Sequence, residues 1–443
     1  TTLGCKVNQA ETDSMLDMLK AAGANIVEFD EKADIYIVNT CSVTNIADKK
    51  SRQMLHRARK MNPDGIVIAA GCYVQSAREI LEQDEAIDIV ISNNKKKSIT
   101  EIVNDYINVR NNEKNAPGKD HEAMEYFVDI SRETEYEEMG GHVPVGHTRA
   151  YVKIQDGCNQ FCSYCIIPYV RGRIRSRSQE AILAEVSELA EAGIKEVVLT
   201  GIHISSYGKD KNNEGALIEL IEAISKIKGI KRIRLGSLEP GIITEEFVER
   251  ISSNSKVCPH FHLSLQSGCD SVLKRMNRKY TCKQYFEKCD MLRKAYKSPA
   301  LTTDVIVGFP GETEEEFAET VRYLTELNLY EMHIFKYSPR KGTVAAAMKE
   351  QVAPEIKNER SDVLLKLAHD NKTAYEAQFE GCELEVLVEE VVKKDNKTYL
   401  RGHTERYMDI LIDVGDISMP ESFVNSFVYV TYTQNGGNLP LLL

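Results

Sequence analysis

The chain has 443 residues, 42% of them hydrophobic, and a formal net charge of −11. That length supports about three domains with full cores, while the acidic balance excludes a simple electrostatic coat for nucleic acid and leaves any RNA contact to local basic patches. No run approaches the roughly 20 uninterrupted apolar residues of a membrane span, no secretory signal opens the chain, and eleven cysteines, an odd number, point to thiols used as ligands in a reducing compartment, with the cytoplasm as the expected location.

Residues 1–108 alternate strand and helix. "ADIYIVNTC" and "GIVIAAGC" are apolar runs that end in a small residue and a cysteine, and "TTLGC" reads as the tail of a third. That tail carries no initiator Met, so upstream residues are expected. "QAETDSMLDMLKAAG" has the helical apolar period, and "IADKKSRQMLHRARKM" is a charged helix of similar length. The pattern predicts a doubly wound parallel sheet, whose strands present their carboxyl ends to a ligand crevice. Cys5, Cys41 and Cys72 each fall at such an end and are expected to converge. Residues 109–147 mix acidic charge with Pro and Gly without sustained periodicity, and read as a linker.

From 148 the alternation resumes six times, with strands near "AYVKI", "EVVLTGI", "KRIRLGS", "FHLSLQ", "TTDVIVGF" and "YEMHIFKYS". Six units predict a partial (β/α)6 barrel with its chemistry at the carboxyl ends of the strands. Directly after the first strand comes "DGCNQFCSYCIIPYVRGRIRSR", in which Cys158, Cys162 and Cys165 are spaced C-x3-C-x2-C. Three thiols leave a vacancy: they fit a 4Fe-4S cluster with one open iron, or a zinc site that a distant His completes. Gly201, Glu239, Gln266 and Gly308 lie at the ends of later strands and are candidates for cofactor contact. Arg171, Arg173, Arg175 and Arg177 form one basic patch and "SNNKKKS" (92–98) another. A helix over 354–378 leads to short β runs in 379–443, the pattern of a small barrel of oligonucleotide-binding type. Six basic against twelve acidic residues over 372–443 make it an awkward grip for RNA.

Taken together, "TLGCKVNQAET", "VNTCSVT", "AAGCYVQ", the three-cysteine stretch, "LTGIHISSYG", "HLSLQSG", "LKRMNRKYT" and "TTDVIVGFPGETEEEF" resemble the methylthiotransferase family of radical S-adenosylmethionine (SAM) enzymes over nearly the whole chain. "GCKVN" and "YVRGRIRSR" look like its MtaB-like branch, which acts on N6-threonylcarbamoyladenosine beside the anticodon of tRNA. The resemblance implies that Cys158, Cys162 and Cys165 hold the radical SAM cluster with Tyr164 near the bound cofactor. It also implies that Cys5, Cys41 and Cys72 hold an auxiliary 4Fe-4S cluster, and that 379–443 is similar to a TRAM domain. SAM, tRNA, a reducing protein or other electron donor, and a sulfur source are the implied cofactor and partners. Cys258, Cys269, Cys282, Cys289 and Cys382 match no ligand position. Related branches tend to carry an acidic residue after the Arg-Gly pair, where this chain has Arg173, which makes Arg173 the candidate reader of the threonyl carboxylate; the alternative is that Arg173 holds an RNA phosphate and Arg171, Arg175 or Arg177 does the reading. Alternative readings are a methylthiotransferase acting on an aspartate of a ribosomal protein, and a non-enzymatic iron-sulfur or zinc RNA-binding module.

Overall fold

A computed structural model describes residues 1–113, 124–140, 148–395, 397–415, 419–433 and 436–438. In the amino-terminal unit, β1 (Ile35–Thr40), β2 (Ile66–Gly71), β3 (Ile89–Ile91) and β4 (Met124–Tyr126) pair in that order, all parallel. The first residues join the sheet through a parallel bridge from Thr2 to Asn39, as the "TTLGC" tail suggests. Every residue of β2 is buried, because helices cover both faces of a parallel sheet. On one face Met15 and Leu19 of α1 (Lys6–Ala21) and Ile99 and Ile102 of the helix Ile99–Glu113 meet Ile66 and Ile68. On the other, Leu55 and Ala58 of α2 (Asn45–Met61) meet Val67 and Ala69. The sheet is doubly wound.

The central unit strings β5 (Arg149–Asp156), β6 (Arg175–Ser176), β7 (Glu196–Gly201), β8 (Arg232–Leu235), β9 (His260–His262), β10 (Ala300–Val307) and β11 (Glu331–Lys336). β5, β7 and β8 pair in parallel, as do β9, β10 and β11, and single parallel bridges from Ile233 to Val257 and from Leu238 to Leu263 link the two sets into one curved wall of six strands. β6 adds an antiparallel edge beside β5. Ala150, Val152, Ile154, Phe261, Leu263, Leu301 and Val305 point outward into the helix-covered core. Alternation then turns Tyr151, Lys153, His262 and Asp304 toward the lumen.

The carboxyl-terminal strands β12 (Glu383–Lys394), β13 (Lys397–Thr404), β14 (Asp409–Asp413), β15 (Phe427–Thr433) and β16 (Gly436–Asn438) close into a small barrel. It docks on the amino ends of the central strands, where Ala300 and Tyr330 share its core. Arg232 donates to Glu385 Oε1 at 2.9 Å, Arg149 pairs with Glu389 at 3.0 Å, and Arg234 donates to the backbone oxygens of Thr404 and Glu405. Part of the acidic surplus of this barrel thus answers arginines of its own chain.

Two stretches differ from the sequence reading. The span read as a linker contains the end of the helix Ile99–Glu113, the sheet strand β4 and a packed stretch in which Ile130 is buried and Glu137 accepts from the Lys97 amide. A three-residue strand that pairs through its backbone leaves no apolar period to read; residues 114–123 and 141–147 of that span lie outside the described residues. In "NNKKKS", Lys96 is fully buried against Glu11, so the run is no continuous surface patch.

Candidate functional site

Cys5 precedes α1, Cys41 follows β1 and Cys72 follows β2, so the parallel sheet carries all three to one end. Gly4 lets the first approach the second: its φ is +101°, and a Cβ there would lie 2.7 Å from the Cys41 sulfur. Burial, with the neighbouring Cys72 and Cys5 adding to it, pushes the Cys41 thiol up to about 11. Cys72 Sγ receives the Nε–H of Arg171 at 3.2 Å. Cys5 is exposed while the other two are buried, which leaves this triad open on one side.

The second triad lies on the loop after β5. Gly157 turns the chain with φ +71°, in a position where a Cβ would fall 1.8 Å from the Arg173 carbonyl oxygen. Burial pushes Cys158 up to about 11 and Cys165 up to about 12, with the neighbouring cysteine sulfurs adding to both shifts. Cys158 Sγ accepts from the Gln160 amide at 3.4 Å, and Cys162 Sγ from Arg278 at 3.3 Å. Each triad therefore has a buried arginine aimed at one sulfur, and each arginine also holds a carboxylate: Arg171 grips Glu11, and Arg278 donates to Glu239 at 2.9 Å. Donors on sulfur favour the thiolate form that iron needs, and the three-thiol sets fit clusters with one open iron.

Other predicted contacts fall around the same mouth. Tyr164 packs in a cluster with Met276, Phe309 and Tyr337, and the amide of Gly308 donates to Glu312 at 2.7 Å. Glu239 lies 3.6 Å from His203. Gly201 ends β7 opposite Gln155, and Gln266, buried with φ +78°, ties its amide to the Asp304 carbonyl at 2.9 Å.

The four arginines separate sharply. Arg171 is fully buried and donates to Glu11, to Asp156 at 3.1 Å and to Asn8 at 2.5 Å. Arg175 is buried and donates to the backbone oxygens of Arg171 and Arg173. Arg177 is held by Glu138 and Glu185. Arg173 alone is exposed, with its guanidinium 4.5 Å from the Phe161 ring centroid. Sequence reasoning missed Glu11, Lys153, Asp156 and Arg278 as parts of the site; Arg278 stands in "LKRMNRKYT" and Asp156 directly before the three-cysteine loop, yet nothing in their spacing announces a partner.

Comparison with known proteins agrees with this layout. Residues 152–324 match the Radical SAM superfamily, and residues 1–92 match "Uncharacterized protein family UPF0004". The chain is 39% identical to the threonylcarbamoyladenosine tRNA methylthiotransferase MtaB of Bacillus subtilis (strain 168), over 93% of this chain and 89% of that one. It is 37% identical to MtaB of Aquifex aeolicus (strain VF5), over 92% and 97%. The chain belongs to the radical SAM methylthiotransferase family. As a member it is an enzyme that transfers a methylthio group, and the family implies SAM and a 4Fe-4S cluster. The tRNA-2-methylthio-N(6)-dimethylallyladenosine synthase of Thermoanaerobacter pseudethanolicus is 35% identical over 98% of this chain and 90% of that one, so whole-chain similarity alone separates the two kinds of acceptor poorly. Among solved structures, the radical SAM methyltransferase TsrM of Kitasatospora setae shares the fold, with a TM-score of 0.55 and 16% identity over 74% of this chain and 70% of that one. Among the described residues no helix is long and apolar enough to cross a membrane.

Proposed function

We propose that this enzyme methylthiolates C2 of N6-threonylcarbamoyladenosine next to the anticodon of a tRNA in the cytoplasm. Cys158, Cys162 and Cys165 would hold the radical SAM cluster, and Cys5, Cys41 and Cys72 a second one. Bound there, cluster and SAM supply reductive C–S cleavage and hydrogen-atom abstraction, which an unactivated aromatic C–H requires because it offers no leaving group and no acidic proton. The residues of the chain do the orienting. Arg278 holds Cys162 against Glu239, Tyr164 anchors the cysteine loop in the cluster of Met276, Phe309 and Tyr337, and Arg171 fixes Cys72 relative to β5. A reducing protein and a sulfur source complete the reaction as outside partners.

The observation that carries the choice of acceptor is the exposed guanidinium of Arg173, since its three neighbours are spent on internal partners. The threonylcarbamoyl group bears a carboxylate and the dimethylallyl group bears none. A guanidinium meets a carboxylate in a two-point fork, among the stronger polar contacts in a sheltered site. Phe161 under the guanidinium limits its motion. Arg173→Ala is expected to slow turnover of threonylcarbamoylated anticodon RNA about tenfold or more, the loss of about 1.5–3 kcal/mol, while SAM cleavage without RNA stays intact. Equal loss of affinity for modified and unmodified RNA would instead make Arg173 a phosphate contact.

A further inference from the structure

We propose that His262, Asp304 and His333 form a binding site for one divalent first-row metal ion on the lumen wall of the central barrel. The three residues sit on adjacent parallel strands, with His262 of β9 opposite Thr302 of β10 and Asp304 of β10 opposite His333 of β11. Strand alternation turns all three to the same face, and one ligand atom from each lies within 4.8 Å of the others. Two imidazoles and one carboxylate are a donor set that suits zinc, ferrous iron and cobalt.

The local hydrogen bonds set up His262 as a ligand. Its Nδ1 is engaged with Thr302 Oγ1 at 2.9 Å, which orients the ring and leaves Nε2 facing the site. That Nε2 is shielded from solvent and has no hydrogen-bond partner, although Asp304 Oδ2 stands 3.4 Å away. A buried imidazole nitrogen beside a carboxylate it does not bond is costly unless another partner engages it. The His333 ring stacks at 5.8 Å from that of His262 and is itself exposed, so it is free to swing inward. Ligands on one zinc ion stand about 3–4 Å apart, given bonds of about 2.0–2.1 Å, and a small rotation of the exposed ring brings the trio into that range. Three protein ligands leave the sphere open toward the lumen, where an oxygen of water or of a substrate completes it. The trio lies on β9 to β11, whereas the two cysteine triads lie on the amino-terminal unit and on the loop after β5, so the site owes nothing to the cluster ligands.

Zinc is the probe. Reconstituted holoenzyme dialysed against micromolar Zn²⁺ is expected to hold one zinc per chain by elemental mass spectrometry, and the His262→Ala, Asp304→Asn and His333→Ala variants are expected to bind it at least tenfold more weakly with iron content unchanged. His56→Ala, at an exposed histidine far along the chain in α2, is expected to bind as the parent does. On the unmodified holoenzyme, one equivalent of zinc is expected to slow carbethoxylation of His333 at least fivefold and to leave His56 unaffected, a measurement that needs no variant to fold. No zinc on the parent protein, or equal zinc on the parent and the three variants, overturns the site. Neither readout uses RNA or turnover, so the result stands apart from the identity of the acceptor.

Discussion

At Glu11 three cations converge on one carboxylate that water hardly reaches: Lys96, Lys153 and Arg171 all pair with it, and Lys153 and Arg171 also reach Asp156. Burial alone would raise the Glu11 carboxyl, but Arg171, Lys153 and Lys96 together hold it well below the usual carboxylate range. Such a network joins α1, the Lys96 turn, β5 and the arginine loop, and it aims Arg171 at Cys72. Glu11→Gln strands buried cations, and the expected loss of stability is about 3–5 kcal/mol by denaturant unfolding. A carboxyl depressed in the folded state contributes fully above its unfolded pKa, about 4.3, and that contribution is lost as pH falls through the folded value. The difference between parent and Glu11→Gln is therefore expected to stay constant from neutral pH down to about 5 and to shrink below about 4. A difference that shrinks already between pH 7 and 5 would show that Glu11 does not bear the charge of the hub.

At the level of loops and strands, the turn from β5 into the cysteine loop rests on Gly157. A non-glycine residue at its positive φ costs about 1–2 kcal/mol, and the Arg173 carbonyl that its Cβ would strike is backbone and cannot step aside. Gly157→Ala is expected to leave the amino-terminal sheet folded and to lose about half of the reconstituted iron, measured per chain. Full iron retention would show that the loop tolerates another path. Much of this level is legible in the sequence. Long β/α alternation foretells both sheets and the order of the central strands, and the parallel strands carry Cys5, Cys41, Cys72 and the loop of Cys158, Cys162 and Cys165 to their carboxyl ends because they share a direction. What escapes is whatever depends on a partner distant in the chain. Lys96 looks like a solvated charge between two lysines, yet its turn points it at Glu11. Arg171, Arg173 and Arg175 sit at alternate positions like one basic face, yet only Arg173 is exposed. His262, Asp304 and His333 belong to three separate motifs and meet only when the strands pair in register.

Across the whole molecule, the carboxyl-terminal barrel and the amino-terminal unit meet the central barrel on different parts. The former covers the amino ends of the strands, where Tyr407 lies 4.8 Å from Arg234 and 5.3 Å from the ring of His260, and its acidic side chains answer Arg149 and Arg232. Its acidity is therefore in part an internal docking charge. The latter lays α1 along β5 and brings Cys72 under Arg171, a residue of the loop that also carries Cys158, Cys162 and Cys165. If each triad holds a cluster, as proposed, the two clusters are separately removable. Anaerobic reconstitution is expected to give about eight irons per chain. Replacing Cys158, Cys162 and Cys165 together with Ala is expected to halve the iron and abolish reductive SAM cleavage. The matching replacement of Cys5, Cys41 and Cys72 is expected to halve the iron and leave cleavage measurable, because the barrel triad with Arg278 and Glu239 is complete without the amino-terminal thiols. The two halves are told apart by cleavage and not by iron: if the amino-terminal triple variant keeps all its iron, those thiols hold no cluster, and if it loses cleavage as well, the clusters do not act separately.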